Sequence, residues 1–300
     1  MARRAARPAL RTFGGYGLST EYDIHLYFLA INHVALLNGD LVFTDTVNNR
    51  VRMLKRKAGT PPVVSVSAAS FSGVELAPES IVAAFGEKLA TQISSSNAIP
   101  LPTTLGGTTV KIRDSAGTER SAPLFFVAPT QINYLVPTGT FSGPATITVI
   151  SGDGTISVGT LNVAAVAPSL FTTNANGQGL ASAVALRVKG DGQLVYEAIS
   201  RFDTASSRYV PIPIDLGPAT DQVFLIAYGT GWRFRSSLAG VNTTIGGLNS
   251  EVLFAGAADG YVGLDQCNLR IQRALGGRGE VNVVLNVDNK TANTVTIQIK

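Results

Sequence analysis

The stretches "QINYLVP" (Gln131–Pro137) and "QCNLRIQ" (Gln266–Gln272) decide how this chain is read. Each opens Gln-x-Asn and continues with alternating apolar and polar residues. Strict alternation is the signature of a strand with one face buried. In the second stretch Cys267, Leu269 and Ile271 fall on the inward face, and Gln266, Asn268, Arg270 and Gln272 on the outward face. Ile132, Tyr134 and Val136 give the same inward set in the first. A strand of this type written twice, about 135 residues apart, points to a fold that is itself repeated.

Working outward from the first copy, short strand-like runs follow one another. They are "VVSVS" (63–67), "SIVAAFG" (80–86), "TTVKIR" (108–113), "APLFFV" (122–127), "INYLVP" (132–137), "ATITVIS" (145–151) and "TISVGTLNV" (155–163). "DSAGTE" (114–119) and "GDG" (152–154) supply hairpin turns. "AAFGEKLATQI" offers at most one helical turn, because Gly86 weakens it. After "VAPSLF" (Val166–Phe171) the pattern restarts. "ASAVALRVKGDGQLVYEAI" (181–199) predicts a hairpin about Gly190-Asp191-Gly192. "QVFLIAYG", "SEVLFAG", "DQCNLRIQ", "EVNVVLNV" and "NTVTIQIK" then run to the end. Many short strands at regular spacing, with almost no helical period, predict an all-β sandwich architecture.

Four features recur in order. Phe85-Gly86 matches Tyr228-Gly229, "LGG" (105–107) matches "IGG" (245–247), "PLFF" (123–126) matches "VLFA" (252–255), and Gln131/Asn133 match Gln266/Asn268. These predict two tandem immunoglobulin-like β-sandwich domains, residues 59–167 and 168–300, preceded by an N-terminal segment, 1–58, with a short β-hairpin. In that segment Leu41–Thr44 and Arg50–Leu54 read as strands and Asp45 to Asn49 as the turn. "AGTPP" (58–62) reads as a linker, since successive prolines hold the backbone extended.

"NGDLVFTDTVNNRVRMLKR" (Asn38–Arg56) resembles an NHL repeat, an incomplete β-propeller blade. The motifs "PLPTTLGGTTV", "APLFFVAPTQINYLVP", "VAPSLFT", "IAYGTGW", "VGLDQCNLRIQRALGGRGEV" and "DNKTANTVTIQIK" resemble an uncharacterised C-terminal domain family of acidobacteria of the Solibacter type. That resemblance covers roughly Pro62 to Lys300. It implies an extracellular or cell-surface setting at the end of a larger protein, and no catalysis. Cys267 and Gln272 replace the family's aliphatic residue and proline, and "GTGWRFR" is bulkier and more basic than its usual loop. No clear signal peptide is present: Glu21 and Asp23 directly precede the apolar run Ile24–Leu37, and no small-x-small cleavage site follows it.

Charge narrows the function. The net charge is +4, but residues 1–58 carry nine Lys/Arg against four Asp/Glu, and 59–300 fifteen against sixteen. The basic excess lies mainly at Arg3, Arg4, Arg7 and Arg11 and across Arg50 to Lys57. The sandwich region lacks the clustered basic face that phosphate binding needs, so no nucleic-acid partner is expected. No apolar run reaches the roughly 20 residues of a spanning helix. His25 and His33 are the only histidines, so neither a Ser-His-Asp nor a Cys-His arrangement can be built after residue 58. Cys267 is the single cysteine and reads as an inert core thiol. Each Gly-Asp-Gly turn offers one carboxylate, too few for calcium. Paired acids facing across a cleft, as in a glycosidase, stay open on sequence alone.

The expectation is a non-enzymatic tandem module without cofactor or metal. It acts as a structural spacer or an adhesion and interaction unit, with a protein or polysaccharide partner. The alternative is a carbohydrate- or polymer-binding accessory module. Two candidate sites follow. Gln131, Asn133, Gln266 and Asn268 form the repeated motif. They either bind a ligand or hydrogen-bond loop backbone at the sandwich end, and their duplication with the fold favours the second. Trp232, Arg233, Phe234 and Arg235 form a candidate interaction loop, rich in the residue types that dominate contact hot spots. The plainer alternative there is that Trp232 folds down to plug the domain's end.

Overall fold

The computed structural model describes residues 31–37, 40–45, 50–54 and 60–300. The chain divides into two compact units, Met1–Thr60 and Pro61–Lys300. In the first, β1 (Ile31–Leu37), β2 (Asp40–Asp45) and β3 (Arg50–Leu54) form an antiparallel sheet in that order. The expected hairpin is present as β2 and β3, with Asp45 opposite Arg50. It gains a third strand from the end of the apolar run, where Asn32 and His33 are adjacent and Val34 to Leu37 are all apolar, so that no alternation marks it as a strand. His33 lies on β1. His25, the four early arginines, the turn residues 46–49 and the start of the linker lie outside the described residues.

The second unit is all-β. Its first half holds β4 (Val63–Ser67), β5 (Ile81–Gly86), β6 (Ser94–Ser95), β7 (Thr104–Leu105), β8 (Thr108–Arg113) and β9 (Glu119–Ser121). β10 (Leu124–Val127), β11 (Gln131–Leu135), β12 (Gly143–Ile150) and β13 (Ile156–Val163) complete it. One sheet runs β4-β5-β11-β10-β6 and the facing sheet β13-β12-β8-β7. The second half holds β14 (Ser169–Leu170), β15 (Ala183–Val188), β16 (Leu194–Ala198), β17 (Ser200–Asp203), β18 (Arg208–Pro211) and β19 (Gln222–Thr230). It continues with β20 (Val241–Ile245), β21 (Leu248–Ser250), β22 (Val252–Ala257), β23 (Asp265–Arg270), β24 (Gly279–Val287), β25 (Lys290–Thr291) and β26 (Val295–Ile299). Its sheets run β16-β15-β19-β23-β22 and β21-β20-β24, with β26 on β24 and the β17–β18 hairpin apart. Both halves thus have the A-B-E-D over G-F-C strand order of an immunoglobulin-like sandwich.

Alternation builds the cores. Ala145, Ile147 and Val149 of β12 point inward with Val110 and Ile112 of β8, against Val82, Ala84, Ile132 and Tyr134 of the other sheet. The Tyr134 hydroxyl is carried into the interior because Ser65 gives it a partner at 3.0 Å. Cys267, Leu269 and Ile271 join Leu225, Val283, Leu285 and Ile297 in a second core. Each such aliphatic side chain contributes about 1.5–3 kcal/mol by leaving water.

Two of the four recurring features occupy equivalent places, and a third, "PLFF" and "VLFA", lies on equivalent strands one residue out of the matched register. Phe85 and Tyr228 sit opposite Gln131 and Gln266 on the neighbouring strand. β10 and β22 each bulge at the same point, so that Phe126 and Phe254 face Asn133 and Asn268. The Gly-Gly turns do not coincide. Both have positive φ at each glycine, 54° and 78° in one and 56° and 78° in the other. In the first half, however, the turn leads into β8, the partner of β12. In the second it leads out of β20, the partner of β24. The same turn chemistry serves a different hairpin, because a tight turn is specified by two residues and is indifferent to which strand lies inside.

Candidate functional site

The repeated Gln-x-Asn motif closes on itself. Gln131 Nε2 donates to Asn133 Oδ1 at 2.9 Å, and Gln266 Nε2 donates to Asn268 Oδ1 at 2.8 Å. Residues two apart on a strand share a face, so the pair bridges along its own strand on the outer side of the sheet. This corrects the expectation that these amides hydrogen-bond loop backbone. They fix each other's orientation and leave Gln Oε1 and Asn Nδ2 directed outward.

The candidate interaction loop divides. Trp232 is completely buried and belongs to the second core. Gly229 makes room for it: a Cβ there would lie 2.3 Å from Trp232 Cη2. Arg233 is also turned inward. Its Nε donates to Asp265 Oδ1 at 2.8 Å and its Nη2 to the Leu264 carbonyl at 2.9 Å. Phe234, at 47% exposure, is the member that faces water. Arg235 is half-buried, and its Nε, like Trp232 Nε1, is buried without an acceptor. The loop is therefore mainly a plug. A large ring at the end of a sandwich gains more from filling the core than from standing in solvent.

Asp265 organises the loop. It has 0% exposure and accepts from the backbone N–H groups of Trp232 and Arg233 at 2.8 and 3.2 Å. Burial pushes its carboxyl upward, and the Arg233 guanidinium and the two backbone donors oppose that shift. Arg233 Nη1 continues to Glu79 Oε2 at 3.0 Å. Glu79 belongs to the first sandwich and stands at φ 57°, with Thr138 donating to its other oxygen at 2.8 Å.

More contacts cross the same junction. The Ile81 N–H donates to Thr230 Oγ1 at 2.9 Å, and that hydroxyl donates to the Gly263 carbonyl at 2.8 Å. Gly263, at φ 75°, lies against Ile81 and Leu135, where a Cβ would come within 2.6 and 2.7 Å of their side chains. Ser70 and Ser169 meet at 3.1 Å, and Lys290 pairs with Glu75.

Sequence reasoning missed a second buried charge cluster. Arg187 is 8% exposed. It donates to both Glu197 oxygens at 2.7 and 3.0 Å and to the Asp215 carbonyl at 2.6 Å, with Asp221 at 3.4 Å. Its position in "AVALRV" carried the signal, since it shares the inward parity of Ala183 and Ala185. Cys267 is buried, and burial pushes its thiol up to about 12. Among the described residues no three His, Cys, Asp or Glu side chains are grouped to hold a metal ion. A shallow groove of about 560 Å³ beside β20 and β21 is lined by uncharged side chains, including Asn242, Thr244, Asn249 and Asn286.

No family model and no curated protein matches the chain. Among solved structures it is similar to the Bacteroides ovatus mixed-linkage glucan utilization locus protein SGBP-B, in complex with a mixed-linkage heptasaccharide. The TM-score is 0.33 and the identity 12%, over 87% of this chain and 52% of that one. This chain spans about half the length of that protein. It is also similar to murine CEACAM1b, with a TM-score of 0.18 and 10% identity, over 79% of this chain and 98% of that one. The sandwich architecture itself rests on the strand order described above.

Proposed function

We propose that the unit Pro61–Lys300 is a non-catalytic, rigid tandem sandwich that works as a spacer and interaction unit of a larger extracytoplasmic protein. The carrying observation is the Asp265–Arg233–Glu79 relay. A spacer must transmit geometry, and here a buried carboxylate in one sandwich fixes an arginine that grips the other. The Ile81–Thr230–Gly263 chain of hydrogen bonds adds a second constraint. Chemistry supports the non-catalytic part, since residues 59–300 contain no histidine and their only thiol is buried. Placement outside the cytoplasm rests on the acidobacterial family resemblance. No helix among the described residues is long and apolar enough to cross a membrane.

The test is electron–electron distance measurement on the full chain in a Cys267→Val background, with spin labels at Thr160→Cys and Asn242→Cys, both at exposed positions in separate sandwiches. One narrow distance distribution is expected, broadening when Arg233→Ala is added. A broad distribution without that change overturns the rigid-spacer reading.

A further inference from the structure

The outer face of the β16-β15-β19-β23-β22 sheet is unlike a solvated surface. Val223, Leu225 and Ala227 of β19 point into the core, so Phe224, Ile226 and Tyr228 point the other way. Phe224 and Ile226 are nonetheless 9% and 5% exposed, an apolar floor on what should be the wet side. Tyr196 lies on the same face of β16, across Leu186 in register, and is 66% exposed. Tyr261, 68% exposed, projects from the turn between β22 and β23, where its N–H donates to the Ala258 carbonyl. Tyr228 is half-buried on this face, and its own burial first, then the Tyr261 and Tyr196 phenols, raise its pKa.

Tyr228 stands directly opposite Gln266. The bond from Gln266 to Asn268 holds both amides, leaving Gln266 Oε1 as an acceptor and Asn268 Nδ2 as a donor beside the rings. Rigid aromatic surface beside a fixed donor and acceptor matches a ring that has one C–H face and a hydroxyl edge. The charge on this face does not suit an ion. Arg270 is paired with Glu251 at 3.3 Å, the exposed Asp259 two residues before Tyr261 would repel a polyanion, and polyanion binding needs clustered bases.

We infer that this face is a binding site for a neutral glycan, with Tyr196, Tyr228 and Tyr261 as stacking surfaces and Gln266–Asn268 as the hydrogen-bonding edge. The first sandwich is an internal control. It carries the same amide pair beside Phe85, which has no hydroxyl, and the end of its face at Ile81 and Leu135 lies under Gly263. The glycan site is therefore confined to the second sandwich.

Affinity electrophoresis of the full chain tests this, in native gels containing hydroxyethyl cellulose, dextran, xylan or galactomannan, with alginate as a charged control. Retardation by at least one neutral polymer and none by alginate is expected. Tyr196→Ala with Tyr261→Ala should weaken it by on the order of tenfold or more, while Gln131→Ala with Asn133→Ala leaves it unchanged. Circular dichroism confirms that the variants are folded; for a pair that unfolds, Tyr196→Phe with Tyr261→Phe replaces it and should weaken retardation through the lost hydroxyls alone. No retardation by any neutral polymer overturns the site. So does retardation by alginate alone, retardation that survives the tyrosine changes, or concentration-dependent self-association through this face in place of glycan binding.

Discussion

Arg233 Nη1 lies 3.0 Å from Glu79 Oε2, 154 residues earlier in the chain, while its Nε remains 2.8 Å from Asp265. One guanidinium thus serves as internal counter-charge and as inter-sandwich clasp. The two roles separate by burial, because the Asp265 side chain is 0% exposed and Glu79 23%. Arg233→Ala strands a buried carboxylate and should cost about 3–5 kcal/mol in chemical denaturation. Glu79→Gln removes only the clasp and should cost about 1 kcal/mol or less. Equal losses from the two changes would show that the clasp, not the buried charge, dominates.

Trp232 fills the end of the second core with its indole N–H unpaired. Trp232→Ala should destabilise by about 3–5 kcal/mol, as for any buried large ring. Trp232→Phe should be markedly milder, since it keeps most of the packing and removes an orphan donor. Tryptophan emission should be blue-shifted and resistant to acrylamide. Red-shifted, readily quenched emission would place the ring in solvent and contradict the plug.

Cys267 packs with Leu225 and Leu269 in the same core. Burial raises its thiol pKa to about 12, so it stays protonated and unreactive at neutral pH. Cys267→Val should change stability by less than about 1.5 kcal/mol. Native-state labelling by a thiol reagent should proceed only as fast as the domain opens. Labelling within the mixing time would show that the β23 faces are reversed.

Asp114 caps the β8–β9 turn. Its carboxylate accepts from the N–H groups of Ala116, Thr118 and Phe141 at 3.1, 3.0 and 3.0 Å, and Arg120 lies at 2.5 Å. The Phe141 N–H does most to hold its pKa below the usual 3.8, with Thr118 and Arg120 adding to it. A carboxyl lowered by folding stabilises the fold above its unfolded value and loses that contribution as pH falls through the lowered folded value. Stability should therefore drop below pH 4 in part through Asp114. Asp114→Asn should be less stable at pH 7 and show a flatter acid limb in urea titrations. An unchanged acid limb would remove Asp114 from the account.

The sequence by itself determined most of the longer strands, their faces and the all-β class, but not the β17–β18 hairpin. Alternation in "QCNLRIQ" assigned Cys267, Leu269 and Ile271 inward because side-chain direction in a strand is a local property with period two. Turn chemistry likewise placed the bends at Asp114–Glu119 and Gly190–Gly192. It did not show that Ile31–Leu37 forms a strand, since adjacent Asn32 and His33 followed by four apolar residues leave no period of two to read.

Only the tertiary structure decided what each outward or loop residue meets. Gln266 and Asn268 satisfy each other, Arg187 finds Glu197 and Asp221, Trp232 turns into the core, and the two Gly-Gly turns serve different hairpins. Partners of polar groups are chosen by which distant segments packing brings within hydrogen-bond reach, and that choice is fixed by the whole core. Arg233 shows the limit. Its neighbours in sequence marked it as an exposed contact residue, and a buried aspartate 32 positions away, with a glutamate in the other sandwich, made it structural.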